Sequence, residues 1–453
     1  MLQNSEQYRK TTKLESIGRK AKFVPSTMFN NIWHVIDMDL LNECYKLLDG
    51  NKAIGIDDVT KKSYGEKLRE NLADLYARLQ RNAYKPKPSR VVEIPKEDGS
   101  ARPLAITCFE DKIVQLAASR ILTNIYKPLF LPCSFGYRRG LNVHDALRSL
   151  MKCSNSYPKG TTVEIDISQY FSTIPHVNLL GIIREKIVDK KFLKLVEKLI
   201  RAPIMVNGKA ELNKIGAPTG SIISPILSNI YLHHVIDSWF SKISESHLGG
   251  KANMVRFADD MVFVFQNEND ANRFYTVLPK RLEKFGLKLH INKSSVIKSG
   301  AYHATVADSK GERLKTYKFV GFTCYWGKSR SGKWRLKFKS RADRLSKKLV
   351  NIRQQLKEKL HVKTHLVIND VKRIVVGWAN YHTISDNQRQ VRTFLLWSKR
   401  ILFFFVNRKG GKRKMNWSNF DKMLKRLNYP EYFKTTSMFC TVECRAASGS
   451  PLP

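Results

Sequence analysis

The sequence predicts an α+β chain in which a sheet-bearing part, ending near residue 327, is followed by a helical part. Three observations carry this reading. Over 50–325, short β-prone runs bounded by turn residues alternate with segments of helical period. Over 328–360 the composition shifts to 13 Lys/Arg against two acids, Asp343 and Glu358, and 341–405 reads as helices. The chain has 453 residues, 42% of them hydrophobic, with 23 Phe and 17 Tyr, enough for two or three domains with cores of their own. The expected organisation is a basic N-terminal extension over 1–50, a mixed region over 51–327, a helical domain over 328–405 and a short basic region over 406–453.

In chain order, 1–50 is basic and mostly helical in pattern. A loop rich in glycine and acids follows at Gly50 to Asp58, then a helical segment over 68–81. Tyr84-Lys85-Pro86-Lys87-Pro88 is extended, because a residue before proline is pushed out of the helical region. The runs 90–94 and 102–106 make a hairpin around the turn 97–100, carrying Lys96 and Arg102. Helices continue over 109–127 and after Gly140. Val163 to Ile167 is a short strand holding Asp166, and Asn207-Gly208-Lys209 is a hairpin turn. Gly216 to Pro225 is a loop entering a helix, where proline suits the first turn. Residues 270–285 form an amphipathic helix with Asp270 as N-cap and Gly286 as C-cap. Strands are expected over 287–292 and 316–325.

Lys and Arg total 80 against 39 Asp and Glu, a formal charge of +41 that points to a polyanion partner. A membrane surface is the competing polyanion, but no stretch has the apolar length of a spanning helix, and the first 22 residues lack the apolar run of a secretory signal. A cytoplasmic, nucleic-acid-associated protein is expected. The seven cysteines are scattered without zinc-site spacing, Cys440 and Cys444 coming nearest to a motif, and reduced thiols are expected.

The chemistry concentrates at Val255-Arg256-Phe257-Ala258-Asp259-Asp260-Met261-Val262, two acids at a turn between β-prone runs. Two readings are open there: an ordinary Asp-Asp turn, or a site where a cation offsets the like charges. Mg²⁺ is the natural ion, since it prefers a few carboxylates and keeps room for water and phosphates. Asp166, between Ile165 and Ile167, supplies a third carboxylate, costly if buried unpaired and useful beside a metal. Three carboxylates and nearby cations suffice for phosphoryl transfer through two metal ions. In 328–360, Trp334 and Phe338 are interleaved with the charges. Lys328, Arg330, Lys333, Trp334, Arg335, Lys337, Lys347 and Lys348 are therefore candidate nucleic-acid contacts, against the alternative of a solvated helix face.

The order of these motifs resembles a bacterial reverse transcriptase of the group II intron, or maturase, type over about 50–325, and more weakly to about 405. Gly55-Ile56-Asp57-Asp58-Val59-Thr60 is similar to that family's entry motif, and Ile94-Pro95-Lys96 with Arg102-Pro103-Leu104 to its fingers hairpin. Phe135 to Gly140 with His144 resembles the next block. Asp166-Ile167 with Tyr170-Phe171 and Ile174-Pro175-His176 resembles the first catalytic motif. Gly216 to Leu232 resembles the template-and-nucleotide loop, and Phe257-Ala258-Asp259-Asp260 the second catalytic box. Gly286 to Leu289 with Lys293, then Phe319-Val320-Gly321-Phe322, resembles the closing palm blocks. Gly377-Trp378-Ala379-Asn380-Tyr381 resembles the thumb or maturase segment.

The resemblance implies a right-hand polymerase fold, with fingers and an antiparallel palm followed by an α-helical thumb. It implies Asp166, Asp259 and Asp260 as catalytic residues that, with Ile167, bind two Mg²⁺ ions, Mn²⁺ being a possible substitute. Lys96, Arg102, Phe171, Thr219, Gly220 and Lys293 would bind the nucleotide, Phe171 by excluding a ribose 2′-hydroxyl. The implied partners are an RNA template (intron RNA or a dedicated non-coding RNA), a DNA or RNA primer and dNTPs. Two positions depart from the family. Its second box usually begins with Tyr, where this chain has Phe257, and it has Gln where Thr219 stands between Pro218 and Gly220. Thr cannot make the same hydrogen bond as an amide. Nothing after 405 has the Cys and His pattern of an HNH nuclease, so DNA cleavage is not expected. Alternatives are a domesticated antiphage reverse transcriptase copying a non-coding RNA, a non-catalytic splicing maturase, and an RNA-dependent RNA polymerase. Retention of all three Asp argues against the second, and Phe171 against the third.

Overall fold

The structure is a computed structural model that describes residues 13–95, 101–206, 208–409 and 414–439. Its strands are β1 (Arg90–Pro95), β2 (Ala101–Ile106), β3 (Thr161–Ile165), β4 (Ile204–Val206), β5 (Lys209–Glu211), β6 (Ala252–Phe257), β7 (Asp260–Phe265), β8 (Ser295–Lys298), β9 (Tyr317–Phe319), β10 (Phe322–Lys328) and β11 (Trp334–Ser340). Helices and antiparallel sheets are mixed throughout, so the α+β class holds. Two compact units share the chain in alternation. One takes Met1–Arg139, Ile165–Leu248 and Phe274–Ser294, and the other takes Gly140–Glu164, Gly249–Arg273 and Ser295–Pro453. No helix among the described residues is long and apolar enough to cross a membrane.

The first unit is built on the helix Phe109–Tyr126, which buries Ile113, Val114, Ala117, Ala118, Ile121, Leu122 and Ile125. An 18-residue helix apolar on so many sides belongs at the centre of a unit. The helix Lys13–Phe23 packs on it and buries Leu14, Ile17 and Ala21, spaced for one helical face. The described part of 1–50 is thus an integral part of this unit. Strands β1 and β2 pair antiparallel from Arg90↔Ile106 to Pro95↔Ala101, and Ser89 bridges to Ile204 at the start of the β4–β5 pair. The turns expected at 97–100 and at Asn207 lie outside the described residues.

In the second unit the sheet order is β6-β7-β3-β8, with a second sheet ordered β11-β10-β9. Met261 to Phe265 of β7 are all buried, the continuous apolar run of an inner strand. The helices Ala342–Glu358, Thr364–His382, Gln388–Lys409 and Trp417–Arg426 share one core, including Ile352, Val371, Phe394, Leu402 and Phe420.

Several expectations are corrected. Position 327 lies inside β10, with Gly327 paired to Arg335 of β11, so a hairpin runs across the expected boundary. The stretch 334–340 is a strand and not a helix face, because Leu336, Phe338 and Ser340 are buried with period 2. The strand expected over 316–325 is two strands, since Val320 and Gly321 both have positive φ (41° and 80°) and close a tight turn of the I′ pattern. Among the described residues, 287–292 make only one bridge, Ile167↔Leu289, before a 3₁₀ turn at Ile291–Lys293. Asp270 is not an N-cap: its helix begins at Glu268, and its carboxylate accepts from the N–H groups of Gly249 and Gly250. Gly286, with φ 70° and Leu287 N–H donating to Leu282 O, does end that helix as expected.

Candidate active site

Strands β6 and β7 pair down to Phe257↔Asp260, leaving Ala258 and Asp259 as a two-residue turn. Ala258 has φ 58°, the conformation in which glycine is the usual first residue of a II′ turn. A side chain there costs roughly 1–2 kcal/mol, so the surroundings must hold it. Arg256 does so in part: it is fully buried, and its guanidinium donates to Ala258 O at 3.0 Å. The Asp260 carboxylate accepts from Val320 N–H at 2.7 Å, at the turn between β9 and β10. That turn is gripped from the other side by Tyr381, whose hydroxyl donates to Val320 O at 2.8 Å and whose ring stacks on Phe322. Asp260 is therefore aimed by a chain of contacts ending in the helix Thr364–His382.

In the first unit, Asp166 directly follows β3. Its N–H donates to Ser294 Oγ (3.1 Å) and its carbonyl accepts from His290 N–H (2.8 Å), while Ser168 N–H donates to Lys288 O. These bonds flank the Ile167↔Leu289 bridge and make it the non-hydrogen-bonded kind, so the backbone groups of Ile167 point away from that strand. The Asp166 side chain is 39% exposed, which removes the burial cost anticipated for it, and Lys293 Nζ stands 3.7 Å from its Oδ2. Phe171 is buried in the short helix Tyr170–Thr173, edge-on to Tyr170. Its carbonyl accepts from Ala217 N–H (2.8 Å), joining it to the 216–220 loop. The Thr219 carbonyl accepts from Ala105 N–H of β2 at 2.7 Å. Gly220 (φ 101°) passes so close to β2 that a Cβ would lie 2.7 Å from Ala105 O. The loop is braced beneath by buried Gln115, whose Oε1 accepts from Ser221 Oγ and Ile222 N–H, both at 3.0 Å. Arg102 is in β2 opposite Ile94, and its side chain, like the whole of Lys96, lies outside the described residues.

Residues 94–324, just over half of the chain, match the reverse transcriptase (RNA-dependent DNA polymerase) family. The chain belongs to the reverse transcriptase family. Within that family it is similar to intron-encoded proteins. It is 33% identical over 227 residues to the group II intron-encoded protein LtrA of Lactococcus lactis subsp. cremoris, covering 49% of this chain and 37% of that one. It is 31% identical over 228 residues to an uncharacterised 91 kDa protein in the cob intron of Schizosaccharomyces pombe, covering 49% and 28%. It is 35% identical over 207 residues to protein YkfC of Escherichia coli K12, covering 45% and 53%. The matched part thus spans about half or less of these relatives' own lengths.

Reverse transcriptases use divalent metal ions, and the donor chemistry of these residues fits a hard cation. Asp166, Asp259 and Asp260 offer carboxylate oxygens, and Ile167 offers a backbone carbonyl. Among the described residues no group of three or more His, Cys, Asp or Glu forms a ready-made metal cage. Mg²⁺ does not require one, because it completes its shell with water and substrate phosphate.

The cations expected to contact nucleic acid divide into two groups. Arg330 and Lys333 are exposed at the β10–β11 tip, and Lys347 and Lys348 lie on the helix Ala342–Glu358. Lys328 is paired with Asp308 (2.9 Å) and covers the ring of Trp334, while Lys337 donates to Lys328 O. Arg335 is engaged within the protein. Its side chain is 16% exposed and grips Asp386 with two hydrogen bonds, 3.0 and 2.5 Å. The Cys440 and Cys444 pair lies outside the described residues. Arg256 and Tyr381 support the β6–β7 and β9–β10 turns, and sequence reasoning misses both. An arginine inside an apolar strand run was the available signal for the first. The reach of the second is a long-range contact that local pattern cannot show.

Proposed function

We propose that this chain is an RNA-directed DNA polymerase of the group II intron type, making cDNA on a structured RNA template. The observation that carries the reading is the tight Asp259-Asp260 turn, aimed through Val320 and Tyr381, in a chain of this family. In this proposal Asp166, Asp259 and Asp260 are the catalytic carboxylates. Two Mg²⁺ ions, or Mn²⁺ in their place, would be held by these residues and the Ile167 carbonyl, and supply activation of the primer hydroxyl and neutralisation of the leaving phosphate. Lys96 and Arg102 grip the incoming triphosphate, and Lys293 adds positive charge beside Asp166. Phe171 and the Thr219-Gly220 backbone, joined by the Ala217 and Ala105 hydrogen bonds, form the wall against which the sugar is judged. The bulk of Phe171 rejects a 2′-hydroxyl by clash. Fingers and palm correspond to residues from 51 to about 341 and the thumb or maturase segment to the helices that follow, because the β10–β11 hairpin spans residue 327. The template is intron RNA or a dedicated non-coding RNA, and the helix Trp417–Arg426 shares the core of the thumb helices.

Primer extension on an RNA template with dNTPs and Mg²⁺ tests this. The wild-type protein should extend the primer, and the folded Asp259→Ala/Asp260→Ala variant should make no DNA. Synthesis by that variant would overturn the site assignment. Phe171→Ala should admit ribonucleotides in the same assay.

A further inference from the structure

The helix Gln388–Lys409 buries Val391, Phe394, Ser398, Ile401, Leu402, Phe405 and Val406. The face beside it carries Arg389, Trp397, Arg400, Phe404 and Arg408, which fall within one stripe at helical spacing. The rings are not covered: Trp397 is 44% and Phe404 69% exposed. They are separated by seven residues, about 10 Å along the axis. The Arg400 guanidinium lies over the Trp397 ring at 5.2 Å, so this face already uses planar stacking. Arg389, Arg400 and Arg408 have no acidic partner among the described residues. Beside Phe404 an open cleft of about 200 Å³ is floored by Leu356, Leu360 and Ile401 and rimmed by Arg353, Lys357 and Arg408, with no acid in its lining.

We propose that this face is a track for single-stranded nucleic acid, with Trp397 and Phe404 as stacking platforms and the arginines as phosphate contacts. This rests on the polymerase reading for its partner class, and places the contact away from the β10–β11 hairpin. Aromatic platforms alternating with cations are what a sequence-tolerant single-strand site requires, since every base has a flat face and every link a charge. A second copy of this chain is a poor occupant, because the formal charge of +41 would set two such faces in repulsion. An acidic protein would match the charge but has no need of the stacked indole.

The test is fluorescence anisotropy with labelled oligouridylate and oligodeoxythymidylate, alongside primer extension. Trp397→Ala and Phe404→Ala should each weaken binding about tenfold or more. Phe404→Leu should weaken it as much, because leucine keeps apolar contact and loses stacking. Arg400→Ala/Arg408→Ala should reduce the salt slope by about 1.4. Circular dichroism should show these exposed-residue variants folded. The RNA and DNA probes show which strand the track takes. Wild-type affinity in Phe404→Leu, with the loss appearing in Arg330→Ala/Lys333→Ala, would overturn the proposal, as would an oligomer that the ring variants dissolve in sedimentation. Extension by wild type with ring variants that bind normally removes the track and leaves the polymerase. Lost binding in the ring variants with no extension by wild type keeps the track and removes the polymerase.

Discussion

At the scale of residues, the first unit contains a carboxyl in the wrong place for a typical acid. Asp111 is 2% exposed, accepting from Tyr84 O–H (2.5 Å) and Lys87 N–H (3.0 Å), and burial pushes its pKa up to about 6. A raised carboxyl contributes stability that is complete below its unfolded value and is lost as pH rises through the folded one. Wild type should therefore lose on the order of 3 kcal/mol relative to Asp111→Asn between about pH 4 and 6, with the difference flat above that. Urea unfolding of both proteins across that range measures it, and a wild-type advantage growing with pH would refute it. Thr219 makes the second residue-scale prediction. Its backbone is fixed to β2, so only the side chain differs from the amide usual in the family. Thr219→Gln should change the dNTP KM or the misincorporation frequency, and unchanged values of both would count against a nucleotide role. The acids themselves were legible, because two carboxylates at a turn demand an explanation. The buried Arg256 beneath them was present in the same motif but gave no sign of its direction.

At the scale of elements, two hairpins meet through one hydrogen bond. The β6–β7 turn presents Asp260, and the β9–β10 turn supplies the N–H that orients it. Gly321, with φ 80°, lets the second turn close, and an alanine there also presses on the Arg344 guanidinium, a neighbour able to shift. Gly321→Ala should destabilise by about 1–2 kcal/mol from backbone strain. It should lower kcat more than the dNTP KM, because the displaced group is Val320 N–H rather than the nucleotide loop. Thermal denaturation and steady-state extension check the two halves, and a changed KM with normal kcat would contradict the coupling. Most strands and helices were readable from period and turn residues, including β1, β2 and the helix entered at Pro225. The failures cluster where tertiary pairing decides. A lysine- and arginine-rich run became β11 because alternate residues found a core, and 287–292 lost most of its strand because its pairing, among the described residues, is confined to one bridge at Leu289.

At the scale of the whole molecule, charge dominates. An excess of 41 positive charges implies that RNA affinity falls steeply with salt. If six to ten phosphates are neutralised, raising salt from about 50 to 200 mM should cost about 10³–10⁵ in affinity. A binding isotherm series would show this, and a flat response would mean that the charges are not at the interface. The charge excess could be read directly from composition, since it needs no knowledge of position. The division of the chain could not, because contiguous domains were expected and the units alternate.

That alternation bears on how the protein is made. The chain enters and leaves each unit repeatedly, so neither can be completed until residues far downstream have emerged from the ribosome. Strand β3 is synthesised roughly a hundred residues before its neighbour β7, a wait on the order of ten seconds at about 5–20 residues per second. During that interval its buried face and both edges have no sheet to join, which invites pairing with other nascent chains. The protein's yield in a cell therefore depends on what shields one five-residue strand while its sheet is still being translated.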